Sequence, residues 1–174
     1  MAAHRVVFDC MLSLQAAARA TGPAAACLKI AEEGLVELCL SEDVLAEIRD
    51  VLTRPKLQAK FPALTAVGVA EFVDRLIRKS VLVPVVAALV ALPRDPKDEK
   101  YLNLALAANA RFLVSRDNDL LDLNRDDNSL GRLLKQQYPN LVVTDPVSFL
   151  RTVEFPTASD PKRSEHGNPQ SPSE

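Results

Sequence analysis

Residues 93–123 read PRDPKDEKYLNLALAANARFLVSRDNDLLDL, and this stretch decides the fold of the chain. Asp95 is a good helix cap and Pro96 suits the first helical position, so a helix is predicted to begin here and to run to about residue 109. Residues 111–115 follow as a short apolar strand, and another short helix is expected near Leu120. Helices that alternate with apolar strands are typical of an α/β domain.

The same alternation extends over most of the chain in both directions. Strands are predicted at residues 5–8, 35–40, 81–86, 111–115 and 141–144, with helices at 24–33, 42–52, 64–79 and 146–153 and around Leu134. Pro84 interrupts the third of these strands. We therefore expect a three-layer α/β/α fold with a central, mainly parallel sheet of about five strands, in one domain over residues 1–155. Residues 156–174 contain almost nothing apolar and are expected to form a disordered tail.

Composition narrows the possible functions. A formal charge of −2 gives the chain no bulk attraction for nucleic acid, so any such binding must come from a local patch. The three cysteines, Cys10, Cys27 and Cys39, lack metal-ligand spacing and are expected to be core thiols in a reducing cytoplasm. No stretch resembles a signal peptide or a membrane span, so a cytoplasmic protein without membrane contact is expected.

Four acidic residues lie where the chain passes between strand and helix. Asp9 and Asp117 each follow an apolar strand, whereas Glu47 and Asp98 lie in helices on or beside the apolar face. Because the carboxyl ends of parallel strands share one edge, these acids are expected to converge there. Clustered carboxylates repel one another, so such a pocket predicts a bound divalent cation.

Each acid also has a purely structural interpretation. Asp9 is also consistent with a turn, Glu47 with a boundary side chain that reaches water, and Asp98 with the helix dipole, although Asp95 already caps that helix. Asp117 is assigned to the pocket, while Asp119 is either a helper ligand or the N-cap of the helix near Leu120.

The order of these segments resembles the PIN domain, and in particular the toxin components related to VapC-type ribonucleases. The matching segments are VVFDCM at residues 6–11, LSEDVLAEIRDVLTRPKL at 40–57, the stretch at 93–123, and VVTDPVSFL at 142–150. Together they span nearly the whole domain. The third segment is the most specific, because its D-P-K-D, alanine-rich helix, strand and S-R-D-x-D-L-L arrive in the order of that family.

The resemblance implies a metal-dependent ribonuclease in which Asp9, Glu47, Asp98 and Asp117 bind Mg²⁺ or Mn²⁺. It also implies a homodimer and a cognate antitoxin protein that blocks the site. One position departs from the pattern, since Met11 stands where the family usually has asparagine. Methionine cannot donate the hydrogen bonds by which an amide would orient a carboxylate or a phosphate.

The chemistry expected of such a site is hydrolysis of an RNA phosphodiester bond. Arg54, Lys56 and Arg116 are candidates for holding the RNA backbone, with a solvated surface as the alternative, and Ser115 is a donor to a phosphate or to a carboxylate. Other enzymes with acidic strand edges fit less well, because the chain lacks the second aspartate of haloacid-dehalogenase phosphatases, the phosphorylation site of response regulators and a phosphate-binding glycine loop. The remaining alternative is a catalytically impaired PIN-like module that binds RNA or protein.

Overall fold

The computed structural model describes residues 3–154, so the predicted tail lies outside the described residues. Five strands form one sheet in the order β3-β2-β1-β4-β5, and every neighbouring pair is parallel. The strands are β1 (His4–Phe8), β2 (Val36–Leu40), β3 (Ser80–Leu82), β4 (Phe112–Val114) and β5 (Val142–Thr144). The predicted five-stranded α/β fold is thus confirmed, with a sheet that is parallel throughout.

Nine α-helices connect and flank these strands in residues 3–154. They are α1 (Cys10–Ala18), α2 (Pro23–Glu32), α3 (Glu42–Leu52), α4 (Pro55–Lys60), α5 (Ala66–Arg78), α6 (Glu99–Ala107), α7 (Asn118–Leu121), α8 (Ser129–Gln137) and α9 (Pro146–Glu154). Short 3₁₀ turns cover Pro96–Asp98 and Asp122–Asn124. In these described residues no helix is both long enough and apolar enough to cross a bilayer.

The central strand β1 shows why helices must cover both faces of the sheet. Val6, Val7 and Phe8 are at most 2% exposed, although successive side chains of a strand point to opposite faces. Helix α6 packs against β1, β2 and β4, while α2 and α9 pack against each other and against β2 and β4. The core therefore lies on both sides of the sheet, as expected for parallel strands.

Several boundaries differ from the prediction for identifiable reasons. Strand β3 ends at Leu82 rather than at residue 86, because Pro84 has no N–H to continue the ladder. The helix predicted from residue 95 opens as a 3₁₀ turn and becomes α-helical only at Glu99. Helices α1 and α4 were not predicted.

Strand β1 lies beside β2 on one side and β4 on the other. The strands after β1 are first added on one side of it (β2, β3) and then on the other (β4, β5), so β1 marks a switch point of the sheet. Ligands of open α/β sheets bind outside the carboxyl ends of strands at such a switch point. Asp9 directly follows β1, and Ser115 directly follows β4. The fold thus brings these two residues to one edge.

Candidate metal centre

Asp9 is the most buried acid at this edge, with 5% of its surface exposed. Its Oδ1 accepts a hydrogen bond of 2.8 Å from the Leu12 N–H, which makes it the N-cap of α1. Its Oδ2 accepts a hydrogen bond from the Ser115 hydroxyl. Burial raises the pKa of Asp9, and the hydrogen bonds from Ser115 and from backbone N–H groups oppose that rise.

Ser115 also fixes the segment that carries Asp117. The Ser115 Oγ accepts a hydrogen bond of 2.9 Å from the Asp117 N–H while it donates to Asp9. The Asp117 Oδ1 accepts from the Asp119 N–H at 2.7 Å and caps α7, which begins at Asn118. The alternative of Asp119 as the N-cap is therefore wrong, because the helix begins before it. Asp119 lies within the first turn instead.

Asp98 lies half-buried at the end of the 3₁₀ turn before α6. Its pKa is raised to about 7, mainly by burial and further by the negative charges of four other acids: Asp117, Asp95, Asp9 and Glu47. The acids thus lie close enough to act on one another electrostatically.

Three of the acids meet closely enough to share one cation. One carboxylate oxygen from each of Asp95, Asp117 and Asp119 lies within 4.8 Å of the other two. Hard oxygen donors of this kind suit Mg²⁺ or Mn²⁺, so the donor set fits the cation predicted from the sequence. An acidic triad that could hold a metal is therefore present.

Asp95 was missed as a candidate ligand because capping already explained it. It does cap the 3₁₀ turn, since its Oδ1 accepts from the Lys97 N–H at 3.1 Å. The spacing in D-P-K-D was a usable signal, because Asp95 and Asp98 are three residues apart and both fall in one tight turn. Arg94, also missed, forms ion pairs with Asp119 at 3.1 Å and with Asp122 at 3.3 Å.

Glu47 differs from the other predicted ligands, because it already has two partners. Its Oε2 accepts a hydrogen bond from the Tyr101 hydroxyl and lies 3.2 Å from Lys100 Nζ. Glu47 is partly exposed on α3, beside the apolar arc as predicted. It lies outside the group of three acids whose oxygens approach one another.

The predicted RNA-contacting cations have different surroundings. Arg54 is paired with Asp50 at 2.6 Å on the outside of the protein, and Lys56 is exposed on α4. Arg116 is exposed next to the acids and lines a groove together with Met11. Met11 itself is 52% exposed.

A comparison with known protein families matches residues 5–119 to the PIN domain. This match covers the larger part of the chain and includes every acid considered as a metal ligand, and the chain belongs to the PIN domain family. No curated protein matches it.

Proposed function

We propose that this protein is a metal-dependent endoribonuclease that uses Mg²⁺ or Mn²⁺. One observation carries the proposal, namely that carboxylate oxygens of Asp95, Asp117 and Asp119 meet within 4.8 Å at the ligand-binding edge of a PIN domain. Such an arrangement is unfavourable by itself, because like charges raise one another's proton affinity. A divalent cation removes that penalty.

The three converging acids would hold the cation, with Asp98 and Asp9 beside them. A bound divalent cation supplies Lewis acidity toward a phosphoryl oxygen and makes a nearby water more acidic. Its positive charge would also keep the Asp98 carboxyl ionised at neutral pH, although burial and the neighbouring acids together raise the pKa of that group to about 7 when no cation is bound.

The side chains of the protein then have separate tasks. The Asp98 carboxylate, which is half-buried and close to the other acids, would accept the proton of the water whose oxygen bonds to phosphorus. The bond from phosphorus to the leaving ribose oxygen breaks in the same step, and that oxygen takes up a proton from solvent. Ser115 holds Asp9 and the Asp117 backbone in register, which fixes the acids before substrate arrives. Tyr101 and Lys100 hold Glu47 at the side of the pocket.

The resemblance to VapC-type proteins supports a biological setting for this activity. We propose that the protein is the toxin of a type II toxin–antitoxin pair, that it acts on RNA in the cytoplasm as a homodimer, and that a cognate antitoxin blocks it.

Met11 motivated the alternative of a module that binds RNA or protein without cleaving. The environment of Asp9 argues for the active enzyme, because the Leu12 N–H and the Ser115 hydroxyl already orient its two oxygens. An amide two residues after Asp9 is not needed for that purpose.

The test is a ribonuclease assay on the purified full chain with Mn²⁺ and with EDTA. Cleavage should require Mn²⁺ and should fall on the order of a hundredfold or more in Asp117→Asn and Asp98→Asn. Asp126→Asn is the matched control, because this fully exposed carboxylate is not one of the three converging acids and pairs with Lys135 instead. Full activity in Asp98→Asn would refute its role, and metal binding without cleavage by the unaltered chain would favour the binding module.

A further inference from the structure

A groove lies beside the acidic site, between α1, the start of α2 and the end of α4. Its cavity volume is about 390 Å³, within the range of small-molecule binding sites. Three cationic residues line it, Arg19, Lys60 and Arg116, and no acidic residue does. In a chain with a formal charge of −2, such a local excess of positive charge is notable.

The three cations have no acidic partners among residues 3–154. Arg5, Arg75 and Arg94, in contrast, pair with carboxylates at 2.7 to 3.1 Å. All three groove cations are exposed at the rim. Their charge is therefore available to a ligand, and the ligand that it favours is anionic.

The wall of the groove between these cations is apolar. Phe61 and Leu57 are partly buried there, and the half-exposed Met11 stands on the α1 side. Lys60 Nζ lies 5.4 Å from the centre of the Phe61 ring. Flat apolar surface framed by positive charge is the pattern used to bind single-stranded nucleic acid, because bases stack on side chains while cations hold phosphates.

Two residues that line the groove are close neighbours, along the chain, of residues in the acidic site. Arg116 stands between Ser115, which donates to Asp9, and Asp117, which belongs to the acidic triad. Met11 lies in the first turn of α1, the helix that Asp9 caps. A strand of nucleic acid held in the groove would thus pass directly to the metal centre.

We propose that this groove is a nucleotide subsite for single-stranded RNA, with a base against Phe61 and Met11 and the flanking phosphates on Arg19, Lys60 and Arg116. The inference rests on the proposed ribonuclease function and adds the residues outside the acidic centre that hold the strand, and it requires the bound base to be unpaired. It also gives Met11 a role as an apolar wall where the family usually has asparagine. An apolar protein segment would not account for three unpaired cations around the groove.

The test measures binding of a short single-stranded RNA of mixed sequence to the full chain in Ca²⁺ by fluorescence anisotropy, with the probe checked for integrity on a gel. Three phosphate contacts predict a slope of about −2 for the logarithm of the binding constant against that of salt concentration, and Lys60→Ala should reduce it by about 0.7. Phe61→Leu should weaken binding about tenfold without changing the slope, while Phe61→Tyr should retain binding. Lys79→Ala is the control, because this exposed lysine precedes β3 at the opposite edge of the sheet.

The outcomes separate this inference from the proposed function. Binding that is unaffected by both Lys60→Ala and Phe61→Leu overturns the subsite, even if the chain cleaves RNA, and equal affinity for a duplex of the same sequence overturns it too. Binding with the expected losses but without cleavage in Mn²⁺ supports the subsite and refutes the proposed catalysis.

Discussion

The two carboxylate oxygens of Asp9 accept hydrogen bonds from different parts of the chain, one from three residues away and one from 106 residues away. Oδ1 accepts from the backbone of α1 and Oδ2 from Ser115 after β4. Since an ionised carboxylate is purely an acceptor, these donors favour the charged form in spite of its burial. One oxygen of the Asp9 side chain thus caps α1, while the other is bound to Ser115 at the acidic edge of the sheet.

The pH dependence of stability should reveal the raised pKa of Asp98. Its pKa is about 7 in the folded protein and 3.8 in an unperturbed chain, so the folded state binds the extra proton between these values. The free energy of unfolding of the metal-free protein should therefore fall as pH rises from about 4 to 7. Above pH 7 this loss is complete.

Asp98→Asn should remove this fall in the free energy of unfolding between about pH 4 and 7. After a discount for its partial exposure, the substitution should stabilise the metal-free protein at pH 8, relative to its effect at pH 4, by about 1–2 kcal/mol. Urea unfolding in EDTA at both pH values measures the difference, with Glu71→Gln on the exposed side of α5 as the control. An equal effect of Asp98→Asn at the two pH values would contradict the electrostatic account.

Arg94 competes with a cation for Asp119. Its guanidinium lies 3.1 Å from the Asp119 carboxylate and its side chain is 69% exposed. Arg94→Ala should therefore increase the affinity for Mn²⁺ by up to about fivefold, because an exposed ion pair contributes at most ~1 kcal/mol. Titration calorimetry measures it, and Arg125→Ala, which removes the exposed pair with Asp127, is the matched control. Unchanged or weaker Mn²⁺ binding would contradict this competition between Arg94 and the cation.

At the scale of elements, Asn103 of α6 holds the segment that leads to the acidic turn. Its Oδ1 accepts from the N–H groups of Leu89 and Val90 at 2.9 Å, and its Nδ2 donates to the Val90 carbonyl at 2.9 Å. Glu99 holds Leu92 N–H in the same way at 2.8 Å. Side chains of α6 thus replace the strand ladder that Pro84 interrupts.

Asn103→Ala should leave three backbone groups of that segment unpaired. With Asn103 itself 4% exposed, the loss in the free energy of unfolding should be about 2–4 kcal/mol. Urea denaturation measures it, and limited proteolysis should show new cleavage at residues 83–94. Asn140→Ala on the surface should change neither. If Asn103→Ala destabilised the protein no more than Asn140→Ala does, other contacts would hold the segment.

The sequence predicted the elements whose apolar residues recur at the spacing of a helix or a strand. It did not predict the helices in which no such spacing separates an apolar face from a polar one. Helix α3 was predicted because its apolar residues form one arc and Ser41 caps it. Helix α1 has the sequence CMLSLQAAA, with small or apolar residues on almost every side, so no period stood out. Helix α4 begins with Pro55 only three residues after the end of α3, and a proline in that position is as typical of the end of one helix as of the start of the next.

The candidate site was predictable only in part, for a similar reason. Strand ends placed Asp9 and Asp117 correctly at one edge, because parallel strands share that edge. The sequence could not show that Asp95, already explained as a cap, also approaches Asp117, or that Glu47 meets Lys100 and Tyr101. Those contacts depend on how α3, α6 and α7 pack.

At the scale of the whole molecule, metal binding should stabilise the fold, because the acids meet only in the folded state. Mn²⁺ at about a hundred times its dissociation constant adds ~2.7 kcal/mol, which raises the Tm of a chain of this size by about 5–10 °C. Differential scanning fluorimetry measures the shift, and Asp117→Asn should abolish it while Asp126→Asn keeps it. A shift of equal size in Asp117→Asn would place the bound ion elsewhere.

The bond between Ser115 and Asp9 joins residues that are 106 positions apart in the chain. A ribosome adds about 5–20 residues per second, so the first strand waits several seconds for the fourth. Throughout that interval the nascent polypeptide carries its early carboxylates without the later ones. The ribosome that translates this protein therefore carries a nascent chain whose acidic site is incomplete. The site can form only after the growing chain has extended past Asp119.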